Sequence, residues 1–114
     1  MVKESSTNNF NRIAALHKCP VTFTLEKIGG RWKPLIIWQL KEGKMRYNEL
    51  RKAIPLISEK MLIQQLKELE ADQLIIRKAK PVVPPFVEYR LSSIGEEIKP
   101  ILGAMADWGI RNQT

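Results

Sequence analysis

Residues 57 to 95 read ISEKMLIQQLKELEADQLIIRKAKPVVPPFVEYRLSSIG, and this stretch decides the fold. At about 100° per residue, Leu62, Leu66 and Leu69 fall within about 60° of one another, so a helix here presents a leucine seam to a core. Ser58, immediately before it, can accept the hydrogen bond of an N-cap. Lys60, Gln64 and Lys67 lie on the opposite side, where two phosphate-seeking cations flank an amide able to make paired hydrogen bonds to an adenine edge. Ser58 and Gln65 are assigned to the same DNA-facing set. Taken alone, such a polar face is also what any solvated amphipathic helix presents.

The residues that follow supply the context. Leu74, Ile75 and Ile76 form a short apolar run of strand type, Val87, Tyr89 and Leu91 alternate with charged residues, and Lys80 to Pro85 interrupts the pattern. This predicts a β-hairpin whose tip is stiffened by Pro81, Pro84 and Pro85. Arg77, Lys78, Lys80 and Arg90 place four cations on it against one anion, Glu88. A helix followed by a basic hairpin is the pattern of a recognition helix with a wing on phosphates. The alternative is an exposed edge hairpin kept soluble by lysine and proline.

Upstream, Leu35, Ile36, Ile37, Trp38 and Leu40 make Trp32 to Leu40 too apolar for a surface helix and suited to the centre of the fold. Lys41 to Lys44 reads as a turn around Gly43, and Met45 to Tyr47 as a minimal first strand leading into a helix from Asn48 to Ala53, which Pro55 closes. Helix 48 to 53, the turn 54 to 57 and helix 58 to 70 then form a helix-turn-helix whose second helix suits the major groove.

With these elements in order, the runs Gly29-Gly30-Arg31-Trp32, Arg46-Tyr47-Asn48-Glu49-Leu50, Ile57-Ser58-Glu59-Lys60-Met61-Leu62 and Pro84-Pro85-Phe86-Val87-Glu88-Tyr89-Arg90-Leu91 resemble, in sequence and spacing, the successive signatures of the HxlR-type winged-helix transcription regulators, relatives of the MarR group. The resemblance covers roughly Cys19 to Gly109 and implies a dimeric, cytoplasmic, DNA-binding regulator. Two positions depart from the usual pattern. Pro34 replaces a residue with a backbone N–H, which the first turn of a helix starting near Arg31 tolerates. Gln73 stands where a turn glycine is common, so the turn into the hairpin is expected to be strained or differently shaped.

Composition is compatible with this reading. The chain has 114 residues, 44% of them hydrophobic, enough for one domain with a real core and too few for two; residues 1–114 are read as a single winged helix-turn-helix domain of α+β class. The net charge is +7, and residues 31–90 carry most of it, with thirteen Lys and Arg against seven acidic residues. The excess therefore lies on the proposed DNA-binding segment and not on the C-terminal helix. No apolar run reaches 18 residues, and Lys3 to Arg12 shows no signal-peptide pattern, so a cytosolic protein without membrane contact is expected. Residues 1–9 read as a flexible arm.

Ile94, Ile98, Ile101, Met105 and Trp108 recur at spacings of 4, 3, 4 and 3, within about 80° on one helical stripe. Periodicity allows this stripe either to pack on the chain's own core or to meet a partner; the family resemblance implies a dimer interface made by the N- and C-terminal helices. Pro100 is expected to kink that helix, because it lacks the N–H that would meet the Glu96 carbonyl.

Cys19, the single cysteine, lies beside Lys18, near His17 and just before Pro20 at an expected helix start. Positive charge and a helix N-terminus both favour thiolate, so Cys19 is a candidate redox sensor, with a buried structural thiol as the alternative. His17 and Cys19 do not complete a tetrahedral metal shell, and no metal or other cofactor is expected. One histidine, one cysteine, no phosphate-binding glycine loop and an adjacent Glu96-Glu97 pair whose members face different directions argue against an enzyme. The expected function is a homodimeric transcription regulator, a repressor, that binds a two-fold-related DNA operator and responds to thiol oxidation. The alternative is a winged-helix module that binds protein and not DNA.

Overall fold

Helix α1 (Pro20–Ile28) starts from Cys19, whose extended backbone (φ −73°, ψ 125°) places Pro20 at the first helical position, where its missing N–H costs nothing. The computed structural model describes residues 19–114, and the chain divides into two compact units, Met1–Gly30 and Arg31–Thr114. The expected arm at 1–9, along with His17 and Lys18, lies outside the described residues. In the first unit α1 ends at Gly29, whose N–H donates to the Leu25 carbonyl, and Val21, Phe23 and Leu25 are exposed along it.

The second unit holds the remaining elements: α2 (Trp32–Gln39), a 3-10 turn (Leu40–Glu42), β1 (Met45–Arg46), α3 (Tyr47–Ala53), α4 (Glu59–Ala71), β2 (Ile75–Lys80), β3 (Phe86–Leu91), α5 (Ser93–Glu96) and α6 (Lys99–Asn112). Pro34 sits in the first turn of α2, as its missing donor requires. Tyr47, expected to close the first strand, opens α3 instead, and the Arg46 N–H donates to Glu49 Oε1 at 2.7 Å to secure that start. Ser58 caps α4 by accepting from the Met61 N–H at 3.1 Å.

The core takes the leucine seam of α4. Leu62, Leu66 and Leu69 are fully buried, together with Ile36, Ile37 and Leu40 from the α2 segment, Leu50 from α3 and Ile75 from β2. Truncating any of these leucines to alanine is expected to cost about 2–5 kcal/mol. Leu35, expected in this core, is 42% exposed, because it lies on the face of α2 turned away from α4.

The sheet is antiparallel in the order β1-β3-β2, with Ile75 opposite Leu91, Arg77 opposite Tyr89, Lys78 opposite Glu88 and Lys80 opposite Phe86; on the other edge Met45 pairs with Tyr89 and Arg46 with Glu88. Residues paired across an antiparallel ladder share a face. One face of the hairpin therefore carries Ile75, Leu91, Tyr89 and Arg77, and its hydrophobic members are buried. The other carries Lys78, Glu88, Lys80, Phe86 and Arg90.

The turn into the hairpin is built at Gln73, which adopts φ 60°. Its N–H donates to the Glu70 carbonyl at 2.9 Å, and the Leu74 N–H donates to the Leu69 carbonyl at 3.0 Å. These two bonds form a Schellman ending, with glutamine in the left-handed position that glycine fills most cheaply. Ser92 ties the far end of the hairpin to the same turn. Its N–H donates to the Leu74 carbonyl and its hydroxyl to the Gln73 carbonyl at 2.6 Å, while Oγ accepts from the Gly95 N–H. A Cβ at Gly95 would run into the Leu74 carbonyl oxygen, so only glycine permits this approach.

The C-terminal helix differs from the expectation of one kinked rod. Glu97 and Ile98 form a turn between α5 and α6, and Pro100 lies in the first turn of α6, where a proline starts a helix and does not bend it. Ile98 is consequently buried in its own chain, 8% exposed, and leaves the stripe. Ile94 stays exposed on α5, while Ile101, Met105 and Trp108 are exposed on α6, the last two at 56% and 63%.

Candidate nucleic-acid interface

Helix α4 and the hairpin place the predicted cations on two surfaces. On α4, Lys60, Gln64 and Lys67 form an exposed ridge opposite the buried leucines. Gln64 Nε2 donates to Glu68 Oε2 at 3.2 Å, and Lys33 Nζ lies 2.7 Å from Glu68 Oε1. The Lys33 ammonium, followed by the Gln64 amide, holds the Glu68 carboxyl below the usual carboxylate range. Glu68 is thus an anion at neutral pH that orients the Gln64 amide. Gln65 is set apart from the ridge. It is half-buried on the flank of α4, and its amide donates to Met61 Sδ at 3.6 Å. The Ser58 hydroxyl is engaged as the cap.

The wing cations do not share one face. Lys78, Lys80 and Arg90 are exposed on the outer face of the hairpin, with Lys80 Nζ 4.9 Å from the Phe86 ring centroid. Arg77 is on the opposite face, beside Tyr89 and turned towards α4. Glu88 is buried on the outer face, opposite both Lys78 and Arg46 and 3.9 Å from Lys44 Nζ. Lys44 and Arg46 are not legible in the sequence as part of the basic face, because they precede the hairpin by some thirty residues; only the pairing of β1 with β3 brings them to it.

Between α4 and the wing lies a cleft of about 710 Å³. Ile63, Lys67 and Glu70 form its helix wall, and Arg77, Val87 and Tyr89 its wing wall. Arg46 and Tyr47 close one end against Pro84, Pro85 and Phe86, with the Arg46 guanidinium 4.2 Å from the Phe86 ring centroid. The Tyr47 hydroxyl is buried there and finds no hydrogen-bond partner among the described residues. Burial, and after it the Glu59 carboxylate, pushes its pKa up, so it remains a protonated donor. Leaving such a donor unpaired costs about 1–3 kcal/mol. Glu59 itself pairs with Arg51 at 3.7 Å, linking α3 to α4 across the turn; both ends are exposed, so the pair contributes at most about 1 kcal/mol.

In the first unit the backbone N–H of Thr22, then that of Val21, lowers the pKa of the half-buried Cys19 thiol. Sγ makes no capping hydrogen bond of proper geometry, so the effect comes from the N–H dipoles at the start of α1. Among the described residues no group of His, Cys, Asp and Glu could hold a metal ion, and no helix is long and apolar enough to cross a membrane.

A helix-turn-helix followed by a hairpin in a three-stranded antiparallel sheet is a winged helix. Residues 27–114 match the HxlR-like helix-turn-helix family, and the chain belongs to it. It is a DNA-binding transcription regulator of that family. YybR, an HTH-type transcriptional regulator of Bacillus subtilis, is 45% identical over 95 residues, covering 83% of this chain and 76% of YybR. Among solved structures, the redox regulator HypR in its oxidised form is 45% identical with a TM-score of 0.80, covering 84% of this chain and 99% of HypR. The reduced form of the transcriptional regulator YodB from B. subtilis is 34% identical with a TM-score of 0.71, covering 83% of this chain and 94% of YodB.

Proposed function

We propose that this regulator acts in the cytoplasm as a homodimeric repressor, occupying promoter DNA at an inverted repeat and performing no catalysis. The observation that carries the reading is the exposed Lys60–Gln64–Lys67 ridge beside a basic wing in one unit of a chain of this family. On this reading Lys60, Gln64 and Lys67 enter the major groove, with Gln64 reading a base edge, while Lys78, Lys80 and Arg90 meet phosphates and Arg77 reaches the backbone between them. Ile94, Ile101, Met105 and Trp108, too large an exposed apolar set for a solvated helix end, join two chains. Two recognition helices then address half-sites whose centres are about 10 bp apart or a multiple of it.

Cys19 adds a thiol input to this reading. Its lowered pKa and the likeness to HypR, a redox regulator, favour it. With one thiol per chain the oxidised product is an intersubunit disulfide, a mixed disulfide with a small thiol, or a sulfenic acid.

Selection of duplexes from a random pool by the purified protein, followed by titration of the enriched sequence at several salt concentrations, tests the proposal. Enrichment of an inverted repeat and a steep fall of affinity with salt are expected. A protein that enriches no sequence and ignores salt would favour the protein-binding alternative.

A further inference from the structure

The exposed ridge of α4 has beside it a carboxylate that attraction for phosphate does not explain. Glu68 follows Gln64 by one helical turn, and an anion there opposes the lysines that flank the amide. The fold nevertheless keeps it ionised. Lys33 reaches it from α2, which packs against α4, with Nζ 2.7 Å from Glu68 Oε1. The Lys33 side chain is only 12% exposed, against 42% for Glu68. Lysine is rarely covered to this extent, and an ordinary surface pair contributes too little to account for it. The other carboxylate oxygen, Oε2, accepts from Gln64 Nε2 at 3.2 Å. Lys33, Glu68 and Gln64 therefore form a chain from a covered cation to an exposed amide.

That chain sets what the amide can offer. A free glutamine amide has two N–H donors and one carbonyl acceptor, and rotation about its last torsion presents them either way round. It can lay both hydrogens on guanine, whose N7 and O6 are both acceptors, or a hydrogen and the carbonyl on adenine, with its N7 acceptor and N6 donor. In Gln64 one hydrogen is already given to Glu68, and turning the amide over would set Oε1 against the carboxylate. One donor and one acceptor remain, a pair that adenine complements and guanine does not. We propose that Lys33 and Glu68 are positioning residues that make Gln64 select adenine and reject guanine. The inference rests on the assignment of Gln64 to the major groove.

The test uses the full chain and the duplex it selects from the random pool. Gln64→Ala first locates the base pair at which preference is lost, and duplexes with adenine or guanine at that position are then titrated by fluorescence anisotropy. The parent should prefer adenine by about 5- to 150-fold, the range of one paired contact. Lys33→Met combined with Glu68→Ala removes one charge of each sign, so it leaves no covered cation unpaired and keeps the net charge. This double variant should lower the adenine-to-guanine ratio by about fivefold or more at the parent's salt slope. Lys33→Met alone leaves a carboxylate that water solvates, so the fold should persist, and it should lower the ratio part of the way. In a Gln64→Ala background the same changes should leave the ratio unmoved. Heteronuclear relaxation of the DNA-free protein should show an ordered Gln64 side-chain amide in the parent and a mobile one in the double variant, with thermal melts confirming that the variant is folded. A folded double variant that keeps the parent's ratio, a ratio that falls equally with and without Gln64, or an amide equally mobile in both proteins would each overturn the proposal alone. Failure of the groove assignment appears separately, as a Gln64→Ala variant that keeps every base preference, and it removes the proposal with it.

Discussion

Gln73→Gly should stabilise the winged unit by roughly 0.5 to 1 kcal/mol, and the size follows from the turn itself. Gln73 closes the Schellman ending of α4 at φ 60°, and an L residue held in that region costs about 1–2 kcal/mol. Glycine removes that cost but enlarges the conformational freedom of the unfolded chain, which returns about 0.4–1 kcal/mol. Nothing else is lost, because the Gln73 side chain is exposed and its backbone bonds to Glu70 and Ser92 survive. For a domain of this size the gain corresponds to a rise in Tm of roughly 2–8 °C. Thermal melts of parent and variant should be made at one protein concentration, since the proposed dimerisation would couple Tm to concentration. Gln73→Val, with a β-branched residue in the left-handed region, should melt below the parent. A glycine variant that melts lower than the parent, or a valine variant that matches it, would refute the strain argument.

Gln64→Ala should relax preference at one base pair, costing about 1–3 kcal/mol on the selected site and little on random DNA, when both are titrated by fluorescence anisotropy. Lys80→Ala should weaken both DNAs alike and lower the slope of log K against log salt by about 0.9 per protomer. Met105→Asp should turn the dimer into a folded monomer in sedimentation experiments, whereas Ile98→Ala, at a buried position, should lower Tm by the equivalent of about 2–5 kcal/mol; a dimeric Met105→Asp would remove α6 from the interface. The alkylation rate of Cys19 should rise with pH about a midpoint below the ordinary thiol value of about 8.5, since the Thr22 and Val21 N–H groups favour the thiolate, and diamide should alter the gel shift of the parent but not of Cys19→Ser.

The parts legible in the sequence were those governed by short-range period. Leu62, Leu66 and Leu69 announce a buried helical face by spacing alone, and Val87, Tyr89 and Leu91 a half-buried strand by alternation. Where local pattern and local chemistry pointed to different boundaries, the pattern misled. The 4-3-4-3 spacing of Ile94 to Trp108 ran straight across Pro100, but a proline is more easily housed in the first turn of a new helix than in the middle of an old one, so Ile98 turned inward. A count of charges places Arg77 with Lys78 and Lys80, since composition assigns no faces, whereas the ladder puts it on the opposite face. The cleft was not legible, since it depends on which residues of β1 and β2 lie opposite Tyr89 and Glu88, and pairing across the sheet leaves no mark in spacing along the chain.

That pairing also explains why a buried anion belongs in a basic wing. Lys44, Arg46 and Lys78 converge on one face of a three-stranded sheet, and at such spacings like charges repel unless something between them is negative. Glu88 is at the centre of that face, opposite both Arg46 and Lys78, and its burial keeps it from being a contact for any ligand of the wing. It offsets part of the repulsion from beneath while the cationic heads of Lys44, Lys78, Lys80 and Arg90 stay exposed. A fully cationic hairpin would gain attraction for phosphate but leave Lys44, Arg46 and Lys78 without that offset. With Glu88 in place, the cations of the outer face stand around a buried anion, while Arg77 stays apart on the inner face, beside Tyr89 and across from Lys67.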